Sequence, residues 1–368
     1  MGAIDPDELA AWLRLLETPG VGRESARKLL SAFGSPDAVF RSSVSAQRTV
    51  AGATVAQALG AAQETLDALI SKTLDWLNAA PQSRTVITLG DPHYPAALLE
   101  TADPPMLLYA QGLVSRLQGP SVAIVGSRNP TRQGVDNARA FAEHLSHAGL
   151  TVVSGLALGI DAAAHEGALS GASGTVAVVG TGLDQVYPKR NAKLAQRIAL
   201  EGLILSEFSL GTPPLPANFP VRNRIIAGLT RGTLVVEAAL QSGSLITARL
   251  AGEAGRDVYA IPGSIHSPQS RGCHALIKQG AKLVDTAQDV LEDLRLALPG
   301  ASGAATPTQP HATDPLLDAL GYDPVSLEAL VARTGWSASQ LSTKLLDLEL
   351  DGQVARLPGQ LFQRISQG

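Results

Sequence analysis

The sequence predicts an α/β protein: a parallel-sheet core, with a helical domain before it and a winged-helix domain after it. Three observations carry this reading. Between residues 121 and 285, short and nearly unbroken apolar strands alternate with helical stretches, as in a parallel sheet covered on both faces. Up to about residue 80 the chain reads as helices joined by small-residue turns. Beyond residue 314 a helix, a turn, a second helix and a hairpin follow one another. At 368 residues and 45% hydrophobic content, the chain can bury the cores of two or three domains.

The first segment, 1–80, contains LRLLETPGVGRESARKLLSAFGSPDAVF, in which Pro19-Gly20-Val21-Gly22 separates two amphipathic helical patterns. This is a helix-hairpin-helix signature. Its glycine turn either presents amides to a phosphate, with Arg23, Arg27 and Lys28 in support, or only joins two helices of a bundle. Glu17 and Glu24 dilute the basic character. Residues 81–119 read as an extended lead-in to the next domain, with one strand at 85–89 and Pro92, Pro95, Pro104 and Pro105 discouraging helix.

Core strands are expected at 122–125, 151–154, 175–179, 203–206, 233–237, 257–261 and 282–284. Helices are expected at 135–147, 162–169 and 192–201. The core domain closes at about 297. A linker of Ala, Gly, Pro, Ser and Thr follows at 298–314. In the last domain, 315–368, helices are expected at 325–333 and 339–350. Strands at 353–357 and 360–364 turn around Pro358-Gly359.

Ligands of parallel sheets sit at the carboxyl ends of the strands, near a topological switch point, and the small polar motifs of this chain fall at strand ends. In VAIVGSRNPTRQG, an apolar strand runs through Gly126-Ser127-Arg128 into a helix. Such a turn exposes backbone N–H groups that suit a phosphate, and Arg128 adds a planar cation, although a tight turn with a surface arginine reads the same way. Neither G-x-G-x-x-G nor the Walker pattern is present here, so no particular nucleotide is specified. In FPVRNRIIAGL, Arg222 and Arg224 flank Asn223 ahead of a buried helix at Ile225, Ile226 and Leu229. Two guanidinium groups two positions apart cannot share one helical face, so one reaches a phosphate while the other braces the loop. Ser242-Gly243-Ser244 opens a further helix containing Thr247, a second seat for an anion. Two phosphate seats at one sheet edge fit a polynucleotide better than a small molecule.

The loop GLDQVYPKRNAKL adds Tyr187, Lys189, Arg190 and Lys193, either a solvated face or phosphate contacts. Aromatic residues are only 4% of the chain, which argues against a long base-stacking platform. Phe219 is the candidate for a single stacking contact, with core packing as its alternative. Asp161 and His165 stand four apart on one helical face, as an acid–base dyad or, the better reading, with Asp161 as a cap or loop anchor.

Charge is unevenly placed. Residues 120–284 carry 15 basic against 10 acidic residues, and residues 285–368 carry 5 against 11, in a chain of net charge −4. One cysteine, Cys273, excludes an intramolecular disulfide and a cysteine zinc cage, and the seven histidines form no metal pattern. No metal and no cofactor are expected. No signal-like or long apolar run appears, so a soluble cytoplasmic protein without membrane contact is expected.

Over roughly residues 90–285 these motifs resemble the DprA (Smf) family of DNA-processing proteins. That family protects incoming single-stranded DNA and loads RecA onto it during natural transformation. The resemblance rests on VAIVGSR, VSGLALGIDAAAH, GLDQVYPKRN, LSEF, FPVRNRIIAGL, VVEAALQSGSLITA, YAIPGS and RGCHALIKQGAKLV. It implies an extended Rossmann fold with a helix-hairpin-helix or SAM-like domain ahead of it, and a pocket for single-stranded DNA, duplex DNA binding more weakly. It implies that Ser127, Arg128, Lys189 and the Arg222/Arg224 loop hold phosphate, and that Phe219 stacks on a base. Some relatives place a lysine shortly before that aromatic. Pro216 and Ala217 stand there in this chain, which weakens one expected contact. A homodimer through 273–284, with Leu276 and Ile277 as apolar candidates, and RecA as partner are also implied. For either residue alone, burial inside the subunit is the alternative.

The winged helix carries Lys344 but also Asp347, Glu349 and Asp351 on or after its second helix. Docking that face on a duplex sets carboxylates against phosphates, so a protein-interaction or dimer-modulating role is the better reading. A sequence-specific repressor is disfavoured for the same reason. The competing enzymatic reading is a Rossmann-fold nucleotide-processing hydrolase. Such enzymes use a P-G-G-x-G-T-x-x-E stretch, where this chain has QSGSLITA, leaving Glu237 and Asp161 as the only placed carboxylates.

Overall fold

The computed structural model describes residues 4–61, 65–294, 314–321 and 324–365. The expected linker at 298–314 therefore lies, except for Asp314, outside the described residues. Contacts divide the chain into two units, 1–298 and 299–368.

The first unit opens with helices α1 (Pro6–Glu17), α2 (Arg23–Phe33), α3 (Pro36–Arg41), α4 (Val44–Ala51), α5 (Ala53–Leu59) and α6 (Leu66–Ala79). The Asp5 carboxylate caps α1 by accepting from the amides of Asp7 and Glu8, at 2.9 and 3.2 Å, ahead of Pro6 in the first turn. The turn at 19–22 lies between α1 and α2 as expected, with Gly20 at φ +85°. These helices share one core with the sheet that follows: Leu9, Trp12, Leu13, Leu29 and Trp76 pack with Val86, Leu107 and Tyr109.

Next come β1 (Arg84–Thr88), α7 (Ala96–Leu99) and β2 (Leu107–Gly112). The lead-in is thus an integral part of the sheet and contributes two strands where one was expected. Its prolines lie in the connection between β1 and β2, which pair antiparallel and so need no helical crossover.

The core continues as β3 (Ser121–Val125), α8 (Arg132–His147), β4 (Thr151–Ser154), α9 (Ile160–Ala168), β5 (Thr175–Val178), α10 (Ala192–Glu201) and β6 (Leu203–Ser206). It is completed by α11 (Asn218–Leu229), β7 (Gly232–Val235), α12 (Ser244–Glu253), β8 (Asp257–Ala260), α13 (Arg271–Lys278), β9 (Lys282–Leu283) and α14 (Ala287–Asp293). The sheet order is β1-β2-β6-β5-β4-β3-β7-β8-β9, and β3 through β9 run parallel. The expected parallel-sheet core is thus present, and β2 joins it antiparallel through β6.

Every residue of β3 through β7 is buried. Alternate residues serve opposite faces. Ala123 and Val125 pack towards Ile225, Ile226 and Leu229 of α11, whereas Val122 and Ile124 pack towards Ala138, Phe141 and Leu145 of α8. From β3 the chain proceeds outward to β4, β5 and β6, and from β7 it proceeds the other way. The switch point therefore lies between β3 and β7, and a crevice opens beyond their carboxyl ends.

The second unit contains α15 (Pro315–Leu320), β10 (Val325–Ser326), α16 (Leu327–Thr334), α17 (Ala338–Leu350), β11 (Val354–Leu357) and β12 (Leu361–Arg364). Its sheet order, β10-β12-β11, completes a winged helix. Val325 and Ser326, expected to begin a helix, pair instead with Phe362 and Leu361, and the Ser326 hydroxyl caps α16. Lys344 lies 3.0 Å from Asp314, so the one cation of α17 is already paired.

Candidate nucleic-acid interface

A cleft of about 650 Å³ occupies the switch point. It is lined by Gly126, Ser127, Arg128, Phe219, Arg222, Asn223, Ser242, Gly243, Ser244 and Thr247 among the expected site residues. Arg224 and Lys189 are not part of the lining.

The β3 side is held in place by tight backbone packing. A Cβ on Gly126 would stand 2.7 Å from the Ile160 side chain and 2.9 Å from the Glu237 carbonyl, so glycine is required. The Ser127 amide, expected to be available to a phosphate, donates to the Glu237 carbonyl at 2.7 Å. The Ser127 hydroxyl accepts from the Asn129 amide at 3.1 Å. The Glu237 carboxylate accepts from the amide and hydroxyl of Thr131, which caps α8. Glu237 thus ties the end of β7 to the start of α8. Arg128 is left exposed, forms no ion pair with any described carboxylate, and holds its guanidinium 5.8 Å over the Phe219 ring.

On the β7 side, the Ser242 and Ser244 hydroxyls lie 2.7 Å apart at the start of α12, with Gly243 exposed between them. Thr247 is buried one turn further on. No acidic residue occupies the first turn of α12, so its positive end faces the cleft unopposed.

The arginine pair requires a correction. Positions 222–224 were expected in a loop, but α11 already begins at Asn218. The two guanidinium groups accordingly point apart. Arg222 is buried and donates to the carbonyls of Gly155, at 2.7 Å, and Val178. Burial lowers its pKa to about 10, Arg128 adds to that shift, and Asp161 opposes it. Arg224 faces away from the cleft, to Glu207, the Asp103 carbonyl at 2.7 Å and the Asp103 carboxylate at 3.1 Å. Asn223 accepts from Arg222 Nε at 3.2 Å. Lys189 stands exposed on a 3₁₀ turn, Lys189–Asn191, beside the cleft loop rather than within the lining.

Asp161 and His165 do not form a dyad. Asp161 accepts from the amides of Gly155 and Ala157, at 3.1 and 3.3 Å. His165 Nε2 accepts from the Leu156 amide at 3.2 Å, and Nδ1 lies 2.7 Å from the Thr175 hydroxyl. Burial drives the His165 pKa down to about 3 and keeps the ring neutral, and burial pushes the Asp161 carboxyl upward. Asn191 donates to the Leu156 and Ala157 carbonyls from the other side. Together with Arg222 these groups hold the 155–157 loop, in which Leu156 takes φ +58°. Asp161 is therefore the loop anchor.

Leu276 and Ile277 lie half-buried on α13 against the sheet core, and Leu276 also faces a groove of about 770 Å³ between α12 and α13. The basic hairpin residues are engaged elsewhere. Arg23 and Arg27 both pair with Asp103. Among the described residues, no group of three His, Cys, Asp or Glu side chains is arranged for a metal ion.

The model for DNA recombination-mediator protein A matches residues 85–295, and that for the DprA winged helix domain matches residues 300–360. The chain belongs to the DprA (Smf) family. Protein Smf of Escherichia coli K12 is 42% identical over 299 residues, covering 79% of each chain. DNA processing protein DprA of Streptococcus pneumoniae R6 is 51% identical over 203 residues, 55% of this chain and 72% of the relative. The X-ray structure of S. pneumoniae DprA superposes with a TM-score of 0.68 at 39% identity, over 79% of this chain and 99% of that one. The Helicobacter pylori DprA structure, described for its single-stranded DNA binding mode, superposes with a TM-score of 0.52 at 34% identity, over 57% and 95%.

Proposed function

We propose that this chain is a single-stranded DNA-binding recombination mediator, without catalytic activity of its own, that grips the strand in the β3/β7 cleft. The observation that carries the reading is the convergence there of an uncompensated Arg128, the buried Arg222 and the open end of α12. Such a site accepts phosphate oxygens from successive nucleotides and reads no base edge. The family relationship and the single-stranded DNA mode described for the H. pylori protein support it. The hydrolase alternative loses its candidates, because the Asp161 and Glu237 carboxylates are both taken up by backbone amides.

In the cell this chain protects incoming single strands in the cytoplasm and hands them to RecA during transformation, and in repair. It works as a dimer through 273–284, where Leu283 is 49% exposed and Leu276 and Ile277 are half-buried. Arg128, Arg222, Asn223, Ser127 and the 242–247 turn form its strand contact, and Lys189 extends the contact outside the cleft. Arg224 serves as a brace.

Fluorescence anisotropy with labelled single-stranded and duplex oligonucleotides across a salt series tests the reading. Tight, salt-sensitive preference for the single strand is expected. Absence of binding to either at low salt rejects it and directs attention to nucleotide hydrolysis.

A further inference from the structure

Phosphate contacts position a strand but do not by themselves distinguish single from double strands. Discrimination requires a group that only an unpaired base can reach. Phe219 is poorly placed to be that group alone. It is half-buried, with the Arg128 guanidinium over its ring. Gly180 lies so close behind that a Cβ there would stand 3.0 Å from Phe219 Cδ1, and Asn218, next to Phe219, donates to the Gly180 carbonyl at 3.2 Å. The ring is clamped and much of it is covered.

Tyr187 stands next to it, at the lip of the same cleft and 45% exposed. An exposed tyrosine means little by itself. This one is paired: its ring centroid lies 5.5 Å from that of Phe219, with the planes tilted by 34°. Its loop is also secured. The Thr181 hydroxyl donates to the Gln185 carbonyl at 2.8 Å, and Asp184 accepts from the Gly211 amide at 2.7 Å and from Lys72 at 2.7 Å. A base inserted between two rings needs about two stacking distances, roughly 7 Å. The pair is too close for that, so a base is left the outward face of Tyr187.

The geometry points to Tyr187 as the ring on which a base of the bound strand stacks, backed by Phe219, and hence as the residue that distinguishes single-stranded from duplex DNA. This rests on the single-strand reading of the cleft. A base in a duplex is stacked and paired, and cannot turn onto Tyr187 without breaking both. Duplex DNA is therefore held by phosphate contacts only.

The test compares the full-length protein with Tyr187→Leu and Tyr187→Phe on labelled oligothymidine, on an abasic strand of equal length and on duplex. Tyr187→Leu is expected to bind oligothymidine at least about fivefold more weakly, the lower range for loss of one base–aromatic stack. Affinity for the abasic strand and for duplex stays unchanged, as does the salt slope, and Tyr187→Phe restores oligothymidine binding. Unchanged oligothymidine affinity in Tyr187→Leu overturns the inference. So does an equal loss on all three substrates, which would mean that Tyr187 only shapes its loop. Failure of the unmodified protein to bind oligothymidine at low salt overturns the underlying reading as well, and that outcome is distinct from the other two.

Discussion

At the scale of single residues, Arg128 serves the ligand alone, whereas Arg222 lines the cleft and also holds the scaffold. Arg128 is exposed and forms no ion pair with any described carboxylate, so Arg128→Ala is expected to weaken single-strand binding by about tenfold or more, the range of a charge-assisted hydrogen bond. The salt slope should fall by about 0.7 and the melting temperature should hold, both read by anisotropy and thermal denaturation. Arg222 is buried against two carbonyls, so Arg222→Ala should cost about 2–6 kcal/mol of stability in urea titrations, because two buried acceptors lose their donor. His165 gives a pH signature. Its folded pKa, about 3, lies below the unfolded value of about 6.5, so the neutral ring supports the fold above pH 6.5 and that support is lost as pH falls towards 3. Asp161, shifted upward, acts in the opposite sense. His165→Gln should flatten the stability loss between pH 6 and 4 by up to about 1.4 kcal/mol per unit, as followed by urea denaturation. Spacing alone predicts that Arg222 and Arg224 divide their labour and that Asp161 is better read as an anchor. The residue types around the cleft were legible, but which guanidinium would be buried depends on where α11 begins.

At the scale of elements, that start is the instructive case. Asn218-Phe219-Pro220 reads as loop because proline ends helices, yet Pro220 sits in the first turn of α11, where its missing N–H costs nothing. The central strands, by contrast, were legible almost to the residue, because strands buried on both faces show unbroken apolar runs. Strand β2 was hidden behind Pro104 and Pro105, and one of its two partner strands, β6, lies far along the chain. The orientation of α11 is set from outside the cleft. Arg224 reaches Asp103 and Glu207, and Arg23 and Arg27 from α2 reach Asp103. The helix that carries Phe219 and Arg222 is thereby fastened to the N-terminal helices. Burial pushes the Glu207 carboxyl upward against the pull of Arg224 and Arg23. Asp103→Ala is expected to lower the melting temperature and to weaken single-strand binding together, although Asp103 does not line the cleft. An Arg27→Ala variant should lose stability without changing the salt slope. A reduced slope in that variant would return the hairpin to the DNA contact.

At the scale of the whole molecule, the cleft lies in the segment of excess positive charge, and the winged helix lies in the acidic one. The net charge of −4 conceals this separation. Lys344 of α17 is paired with Asp314, which leaves the acidic groups of that helix dominant and fits a protein-facing role better than a duplex-facing one. The proposed path of the strand runs through the β3/β7 cleft and past Lys189, and over neither the hairpin at 19–28 nor α17. Photo-crosslinking with an oligonucleotide carrying halogenated uracil, followed by peptide mapping, tests this most directly. The account predicts crosslinks in the loop carrying Tyr187 and at the start of α11, around Phe219. Crosslinks confined to the hairpin at 19–28 or to α17 would contradict it.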